Sequence, residues 1–173
     1  MSQRLFFAMW PGALLRKALS DHGQRMRAEI GGRVVAVDRI HLTLVFIGAV
    51  PVARIDALCA IGDVMRGKCF ELDLTQTGCW RRSGVGWIAP VGTPAPLAQL
   101  VGDLRRHLAQ ADFSVDEKPF APHITLLRNV RCNVKPEQTG VSLRWMVDGF
   151  SLIRSQTLRG GPLYTPLMTW RLT

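Results

Sequence analysis

Residues 41–47 read His-Leu-Thr-Leu-Val-Phe-Ile, and residues 123–127 repeat the pattern as His-Ile-Thr-Leu-Leu. Each copy is a histidine followed by an apolar run that one threonine interrupts, which is typical of a buried β-strand. Side chains alternate between the two faces of a strand, so each histidine points the same way as the threonine two positions on. The sequence therefore predicts two strands that each present one imidazole and one hydroxyl on a shared face, while apolar residues anchor the other face.

The repeat takes up His41 and His123, two of the chain's four histidines. One copy alone is a weak signal, because an ordinary hydrogen-bonded histidine at the start of a strand explains it equally well. Two copies in one chain favour a common function, with both pairs facing one cleft. The other two histidines, His22 and His107, lie in predicted helices without a threonine partner and are expected to be surface or structural residues.

The pattern along the chain predicts the order β-α-β-β-α-β-β-α-β-β-β. Proline and glycine signals and apolar spacing place helices at about residues 11–30, 52–66 and from Pro94 onward, and Leu143 to Ile153 is predicted as one strand. Two histidine motifs with strands and helices around each suggest an α+β fold of two pseudo-symmetric lobes. Each lobe is an antiparallel-rich sheet with helices on its outer face, and the active-site groove lies between the sheets. No linker separates the lobes, so residues 1–173 are expected to form a single bilobal domain.

The chain carries a formal net charge of +9, and 47% of its 173 residues are hydrophobic. This hydrophobic content suffices for a packed core, and the positive charge favours a polyanionic partner such as nucleic acid over a merely solvated basic surface. The apolar runs are too short for a transmembrane helix. The four cysteines lack zinc-site spacing and are expected to be reduced. We therefore expect a cytoplasmic, monomeric protein that does not bind membranes.

Two imidazoles and two hydroxyls around one anion suit phosphodiester chemistry. Histidine titrates near neutral pH, so one ring can act as base and the other as acid on opposite sides of a phosphorus atom. The hydroxyls of Thr43 and Thr125 can hold the non-bridging oxygens. Metal binding is less favoured, because no carboxylate pattern accompanies the histidines and hydroxyls are poor zinc ligands. The sequence also lacks a nucleophile elbow and a phosphate-binding glycine loop, which disfavours serine and ATP-dependent mechanisms.

Four segments resemble the 2H phosphoesterase superfamily, and within it the bacterial RNA 2′,3′-cyclic phosphodiesterases of the 2′-5′ RNA ligase family. The resemblance covers nearly the whole chain, and its most specific segment is Pro-Phe-Ala-Pro-His before the second motif, with an arginine after that motif. The segments are Arg4 to Ala8, Leu42 to Gly48, Pro119 to Arg128 and Tyr164 to Leu167.

The resemblance implies a two-lobed α+β fold and hydrolysis of an RNA terminal 2′,3′-cyclic phosphate to a 2′-phosphomonoester, without metal or other cofactor. It also implies His41 as the proton donor and His123 as the proton acceptor, an order that the residues alone leave open. Thr43, Thr125 and Arg128 would bind the phosphate, although an arginine at a strand end is also commonly a solvent-exposed residue. Phe7 would stack on the terminal base, with a plain core position as the alternative.

Two other functions remain compatible with these residues. The first is ATP-independent, reversible 2′-5′ RNA ligation at the same site, which would use the same side chains. The second is an RNA-binding module without catalysis, which the presence of both histidines and both threonines disfavours. In all three cases the expected partner is an RNA or oligonucleotide end, and for the two enzymes that end bears a 2′,3′-cyclic phosphate.

Overall fold

The computed structural model describes residues 1–116, 118–131 and 136–173. Within these residues, nine strands and three α-helices follow one another along the chain. They are β1 (Ser2–Met9), α1 (Ala13–Ile30), β2 (Arg33–Val34), β3 (Leu42–Pro51), α2 (Ile55–Val64), β4 (Phe70–Trp80), β5 (Val85–Ala89), α3 (Ala95–Gln110), β6 (Ile124–Arg128), β7 (Glu137–Val147), β8 (Gly149–Leu158) and β9 (Gly161–Arg171).

The strands form one antiparallel sheet in the order β7-β4-β5-β6-β3-β1-β8-β9, and β2 pairs with β6 beside this path. The sheet has two halves of four main strands each, β7-β4-β5-β6 and β3-β1-β8-β9. A single residue pair between β3 and β6, Leu42 opposite Ile124, joins the halves. The predicted α+β class with antiparallel strands and helices is confirmed. The two halves, which the sequence suggested as separate sheets, are joined into one sheet at the histidine motifs.

The helices cover the face of the sheet that carries Leu42 and Ile124. Both residues are fully buried, in the same core as α1 residue Leu19 and α3 residue Leu104. Helix α1 packs against β2, β6 and β7, whereas α3 packs against β3. The helical spacing of apolar residues in α3 predicts five positions on its inner face, and all five are buried: Leu97, Leu100, Val101, Leu104 and Leu108. None of the described helices is both long and apolar enough to cross a membrane.

Three details differ from the sequence predictions. The segment predicted as one strand from Leu143 to Ile153 is two strands, β7 and β8, with Asp148 between them. The chain leaves one half of the sheet at Asp148 and enters the other, because β7 pairs with β4 while β8 pairs with β1 and β9. The apolar spacing of the first helix predicts Leu14 on its inner face, yet this residue is 89% exposed. The third difference concerns cysteine chemistry.

Cys79 is disulfide-bonded, so the expectation that all four cysteines are reduced is wrong for this residue. Cys59 and Cys69 are free thiols, as expected. Cys132 lies outside the described residues.

Candidate active site

The two histidine motifs lie side by side at the junction of the sheet halves. Leu42 pairs with Ile124 in antiparallel register, so the adjacent positions place His41 opposite Thr125 and Thr43 opposite His123. Leu42 and Ile124 point into the core beneath the helices. Because side chains alternate along a strand, the histidines and threonines on either side of them point to the opposite, helix-free face. One residue pair thus builds a nearly two-fold symmetric set of two imidazoles and two hydroxyls.

These four side chains line one cavity of about 320 Å³, which we call the histidine cavity. Its other lining residues are Phe6, Phe46, Arg128, Ser155 and Tyr164. Both sequence-predicted motifs and Arg128 are therefore brought together around one space. The volume lies at the small end of the range for ligand pockets and suits a nucleotide-sized group.

Hydrogen bonds to the backbone fix the tautomer of both imidazoles. His41 Nδ1 lies 2.7 Å from the carbonyl oxygen of Arg39, and His123 Nδ1 lies 2.8 Å from that of Ala121. A carbonyl oxygen only accepts hydrogen bonds, so Nδ1 must carry the hydrogen in each ring. The neutral rings therefore have an unprotonated Nε2. In His41 this atom lies 3.2 Å from Thr43 Oγ1, whose hydroxyl donates to it. Nε2 is thus the atom that each ring can use to take up or release a proton.

The pKa values of both histidines are lowered in the free protein. Burial lowers the pKa of His41 from 6.5 to about 4, and the positive charge of Arg128 and the neighbouring His123 act in the same direction. The hydrogen bond to the Arg39 carbonyl opposes this shift. Burial also lowers the pKa of His123, again with a contribution from Arg128. Both rings are therefore mostly neutral at pH 7 when no anion is bound.

Aromatic rings surround His41. The indole of Trp10 stacks on its imidazole at 4.6 Å between ring centres, with 14° between the planes. Tyr164 meets the imidazole edge-on at 5.0 Å, and Phe6 lies at 5.4 Å. Aromatic contacts hold the ring in one orientation, and the face of an indole attracts a cation, so Trp10 stabilises the imidazolium form against the cost of burial. On the other side of the junction, the ring of Trp80 packs edge-on against His123 at 4.5 Å.

The prediction that Phe7 faces the groove is wrong. Its ring is fully buried and packs against Phe150 and Trp170 beneath the helices. Phe6, the preceding residue, lines the histidine cavity instead. Phe6 and Phe7 point to opposite faces of β1, as neighbours on a strand do. The pairing partners decide which face is the groove face, because Ala8 lies opposite Thr43 and Phe6 lies opposite Phe46.

Several site residues were not predicted from the sequence. Phe46 stacks on Phe6 at 6.4 Å and remains 46% exposed, so it offers an accessible aromatic face at the rim of the cavity. Tyr164 is the chain's only tyrosine and begins one of the four segments that resemble the family. Ser155 lies on β8, beyond Ile153, where the sequence predicts that the strand ends. The only signal for Tyr164 was its rarity. Strict alternation from His41 and Thr43 places Phe46 on the core face, and it reaches the groove face because the register between β1 and β3 shifts between Phe7 and Ala8.

The polar groups that line the cavity are two imidazoles, the guanidinium of Arg128 and four hydroxyl groups. The hydroxyl groups belong to Thr43, Thr125, Ser155 and Tyr164. Among the described residues, no group of three or more His, Cys, Asp or Glu side chains is placed to bind a metal ion. The set present can donate hydrogen bonds to the oxygens of a phosphate and can exchange protons at two nitrogen atoms.

Sequence comparison shows which proteins share these features. Residues 14–87 and 88–164 each match the family described as LigT like Phosphoesterase, one match for each histidine motif. The RNA 2′,3′-cyclic phosphodiesterase of Escherichia coli strain K12 is 37% identical over 171 residues, which cover 99% of this chain and 97% of that protein. The protein of the same name from Thermus thermophilus is 30% identical over 183 residues, covering 98% and 90%.

The fold is shared as well. The crystal structure of E. coli LigT complexed with 3′-AMP superposes with a TM-score of 0.88 at 37% sequence identity, and the match covers 100% of this chain and 99% of that one. Paired family matches, identity along nearly the full length and the common fold agree with the doubled histidine motif. The chain belongs to the LigT-like phosphoesterases of the 2H superfamily.

Proposed function

We propose that this protein is an RNA 2′,3′-cyclic phosphodiesterase that hydrolyses a terminal cyclic phosphate to a 2′-phosphomonoester. The observation that carries the proposal is the register of Leu42 and Ile124, which sets two imidazoles and two threonine hydroxyls around one cavity. Relatives named for this activity cover nearly the whole chain, and E. coli LigT has been crystallised with 3′-AMP, a ribonucleotide with a phosphate at the ribose edge.

The proposed reaction needs one base and one acid. His123 Nε2 accepts a proton from a water molecule as its oxygen bonds to phosphorus. The bond from phosphorus to the ribose 3′-oxygen breaks, and this oxygen takes a proton from His41 Nε2. The product has a 2′-phosphate and a 3′-hydroxyl, and the proton has moved from one ring to the other. Attack and departure are in line across the phosphorus, which fits rings contributed by opposite sheet halves.

Thr43, Thr125 and Arg128 complete the proposed phosphate site. Their hydroxyl and guanidinium groups donate hydrogen bonds to the non-bridging oxygens, which carry charge throughout the reaction. Arg128 lies at the end of β6 and lowers the pKa of both histidines through its charge, so it is close enough to act on the bound anion. Phe46 replaces Phe7 as the proposed platform for the terminal base, because its ring is accessible beside the cavity.

The low pKa of His41 has a consequence for the order of events. An imidazole with a pKa of about 4 is neutral at pH 7, so the proposed donor must take up its proton when substrate binds. A phosphodiester anion between the rings favours their charged forms and raises both pKa values. The stacked indole of Trp10 adds to this effect.

We therefore expect an acidic optimum for kcat/KM, which reports the ionisation of the free protein. The active form holds one proton shared between two imidazoles whose pKa values both lie below 6.5. Above the higher pKa, kcat/KM should fall about tenfold per pH unit, so its maximum lies below pH 6.5, whereas the maximum of kcat lies at higher pH. Steady-state kinetics on a cyclic mononucleotide from pH 4 to 9 measures both profiles.

Removing the nearby positive charge provides the control for this profile. In Arg128→Gln, the pKa of both histidines rises, so the basic limb of kcat/KM should move to higher pH, even though the rate itself falls. A wild-type kcat/KM that peaks at or above pH 7.5, or a profile that Arg128→Gln leaves in place, would contradict the proposed ionisation of the site.

Product analysis tests the reaction itself. On an RNA ending in a 2′,3′-cyclic phosphate, the purified protein in EDTA and without ATP should form only the 2′-phosphate, identified by chromatography against 2′- and 3′-phosphate standards. A 3′-phosphate product, or loss of turnover in EDTA, would refute the mechanism. Adding a second RNA with a free 5′-hydroxyl shows whether that group replaces water as the nucleophile, in which case a 2′-5′ linked product accumulates.

A further inference from the structure

A second cavity, of about 330 Å³, opens beside the histidine cavity. The two share His41, Thr125, Arg128 and Tyr164 as lining residues, so they meet at the proposed phosphate site. The part of the second cavity beyond these shared residues includes Arg33, Arg39, Asn129 and Pro162. We call the cavity, with its three arginines Arg33, Arg39 and Arg128, the basic annex.

No described carboxylate neutralises the three guanidiniums of the annex. Among the residues that the structure describes, no carboxylate lies within ion-pair distance of Arg33, Arg39 or Arg128, although ion pairs form elsewhere on the surface. Arg33 and Arg128 lie directly opposite each other on β2 and β6. Like charges in this arrangement destabilise a sheet unless an anion lies between them. The repulsion between Arg33 and Arg128 therefore destabilises the free protein, and a bound anion would offset this repulsion.

The third guanidinium is fixed by the turn between β8 and β9. Arg39 donates a hydrogen bond of 3.0 Å to the carbonyl oxygen of Gly160. Gly161 has a φ of +106°, and a Cβ atom at this position would overlap the Arg39 guanidinium. The turn favours glycine because L side chains rarely adopt this φ, and the absence of a Cβ atom leaves room for the arginine. This packing holds the charge of Arg39 at the rim of the annex rather than free in solvent.

We infer that the basic annex binds the phosphate on the 5′ side of the terminal nucleotide, so that the protein prefers oligonucleotide ends to cyclic mononucleosides. The inference rests on the proposed function and extends it to the substrate class. In an RNA whose terminal cyclic phosphate occupies the histidine cavity, the next phosphate is one ribose away. The aromatic wall of Phe6 and Phe46 suits the base. Arg128 is used by the terminal phosphate, so Arg33 and Arg39, which form no ion pair with any described carboxylate, suit that second phosphate.

Three substrates isolate the second phosphate: adenosine 2′,3′-cyclic phosphate, the same compound with a 5′-phosphate, and the dinucleotide ApA ending in a 2′,3′-cyclic phosphate. For the wild-type protein at low ionic strength, we expect kcat/KM to be roughly tenfold or more higher for the two compounds that carry a 5′ phosphate, the size of one charge-assisted contact. This preference should shrink as salt rises, because the annex is open to solvent.

The variants Arg33→Gln and Arg39→Gln should each lower kcat/KM several-fold for the two substrates with a 5′ phosphate. For adenosine 2′,3′-cyclic phosphate, which lacks a 5′ phosphate, kcat/KM should stay within about twofold of the wild-type value. Arg27→Gln, an equal loss of charge at an exposed position in the last turn of α1, is the matched control and should leave the preference intact. Turnover of adenosine 2′,3′-cyclic phosphate also shows that each variant is folded.

The inference is overturned if the wild-type protein shows no preference for a 5′ phosphate, or if the arginine variants lose activity equally on all three substrates. The first result would leave the annex without a phosphate to bind, and the second would assign these arginines to the terminal nucleotide. Absence of turnover on every substrate would instead refute the proposed function.

Discussion

Replacing His41 or His123 with alanine is expected to lower kcat about 10²–10⁴-fold each on a 2′,3′-cyclic phosphate substrate, because each removes one proton-transfer partner from the reaction. KM should change only a few-fold, since Arg128 and both threonines still hold the phosphate. The double variant should lose much less than the product of the two single losses, because both rings act in the same step. Steady-state kinetics on all three variants measures this.

His107→Ala is the matched control for these variants. His107 lies on α3, where Nδ1 is 2.8 Å from the carbonyl oxygen of Asp103, and it lines neither the histidine cavity nor the basic annex. Its kcat should stay within about twofold of the wild-type value. If His41→Ala and His123→Ala retain kcat within tenfold while His107→Ala behaves normally, the cavity is not catalytic, and an RNA-binding function accounts better for the site.

The sequence was most informative where a short pattern determines geometry directly. A histidine and a threonine two positions apart on a regular strand point to the same face, and the residue between them points to the opposite face. Applied twice, this rule predicted which face of β3 and β6 would carry the site. It contained no information on the register between the two strands. The pairing of Leu42 with Ile124 is a long-range contact, and it converts two separate motifs into one cavity.

The misplacement of Phe7 and the missed break at Asp148 have the same origin. Residues 5–9 are buried on both faces of β1, so hydrophobicity does not distinguish the core face from the groove face. Only the pairing of Ala8 with Thr43 identifies the groove face. At Asp148 the chain passes between sheet halves without a proline or a long loop, and so without a local signal. The basic annex was also invisible in the sequence, because Arg33 and Arg128 meet only through strand pairing.

Replacing Phe7 and Phe46 in turn is expected to separate stability from substrate binding. Phe7→Ala should lower the free energy of unfolding by about 3–5 kcal/mol, because it leaves a cavity among Phe150, Trp170 and the core beneath the helices. That is a large part of the stability of a domain of this size. Phe46→Ala should change the free energy of unfolding by about 0.5 kcal/mol or less, since its ring is 46% exposed.

For substrate binding we expect the larger effect at Phe46 and the smaller effect at Phe7. Loss of a base-stacking ring costs about 1–3 kcal/mol, so Phe46→Ala should raise KM roughly 5- to 150-fold with a much smaller effect on kcat. Phe7→Leu keeps most of the core volume and should retain a normal KM even if Phe7→Ala does not fold. Phe46→Leu, the same substitution at the rim, should still raise KM because leucine has no flat aromatic face. Urea unfolding of these four variants measures the free energy of unfolding, and steady-state kinetics measures KM. A raised KM in Phe7→Leu together with a normal KM in Phe46→Leu would show that Phe7, and not Phe46, stacks on the base.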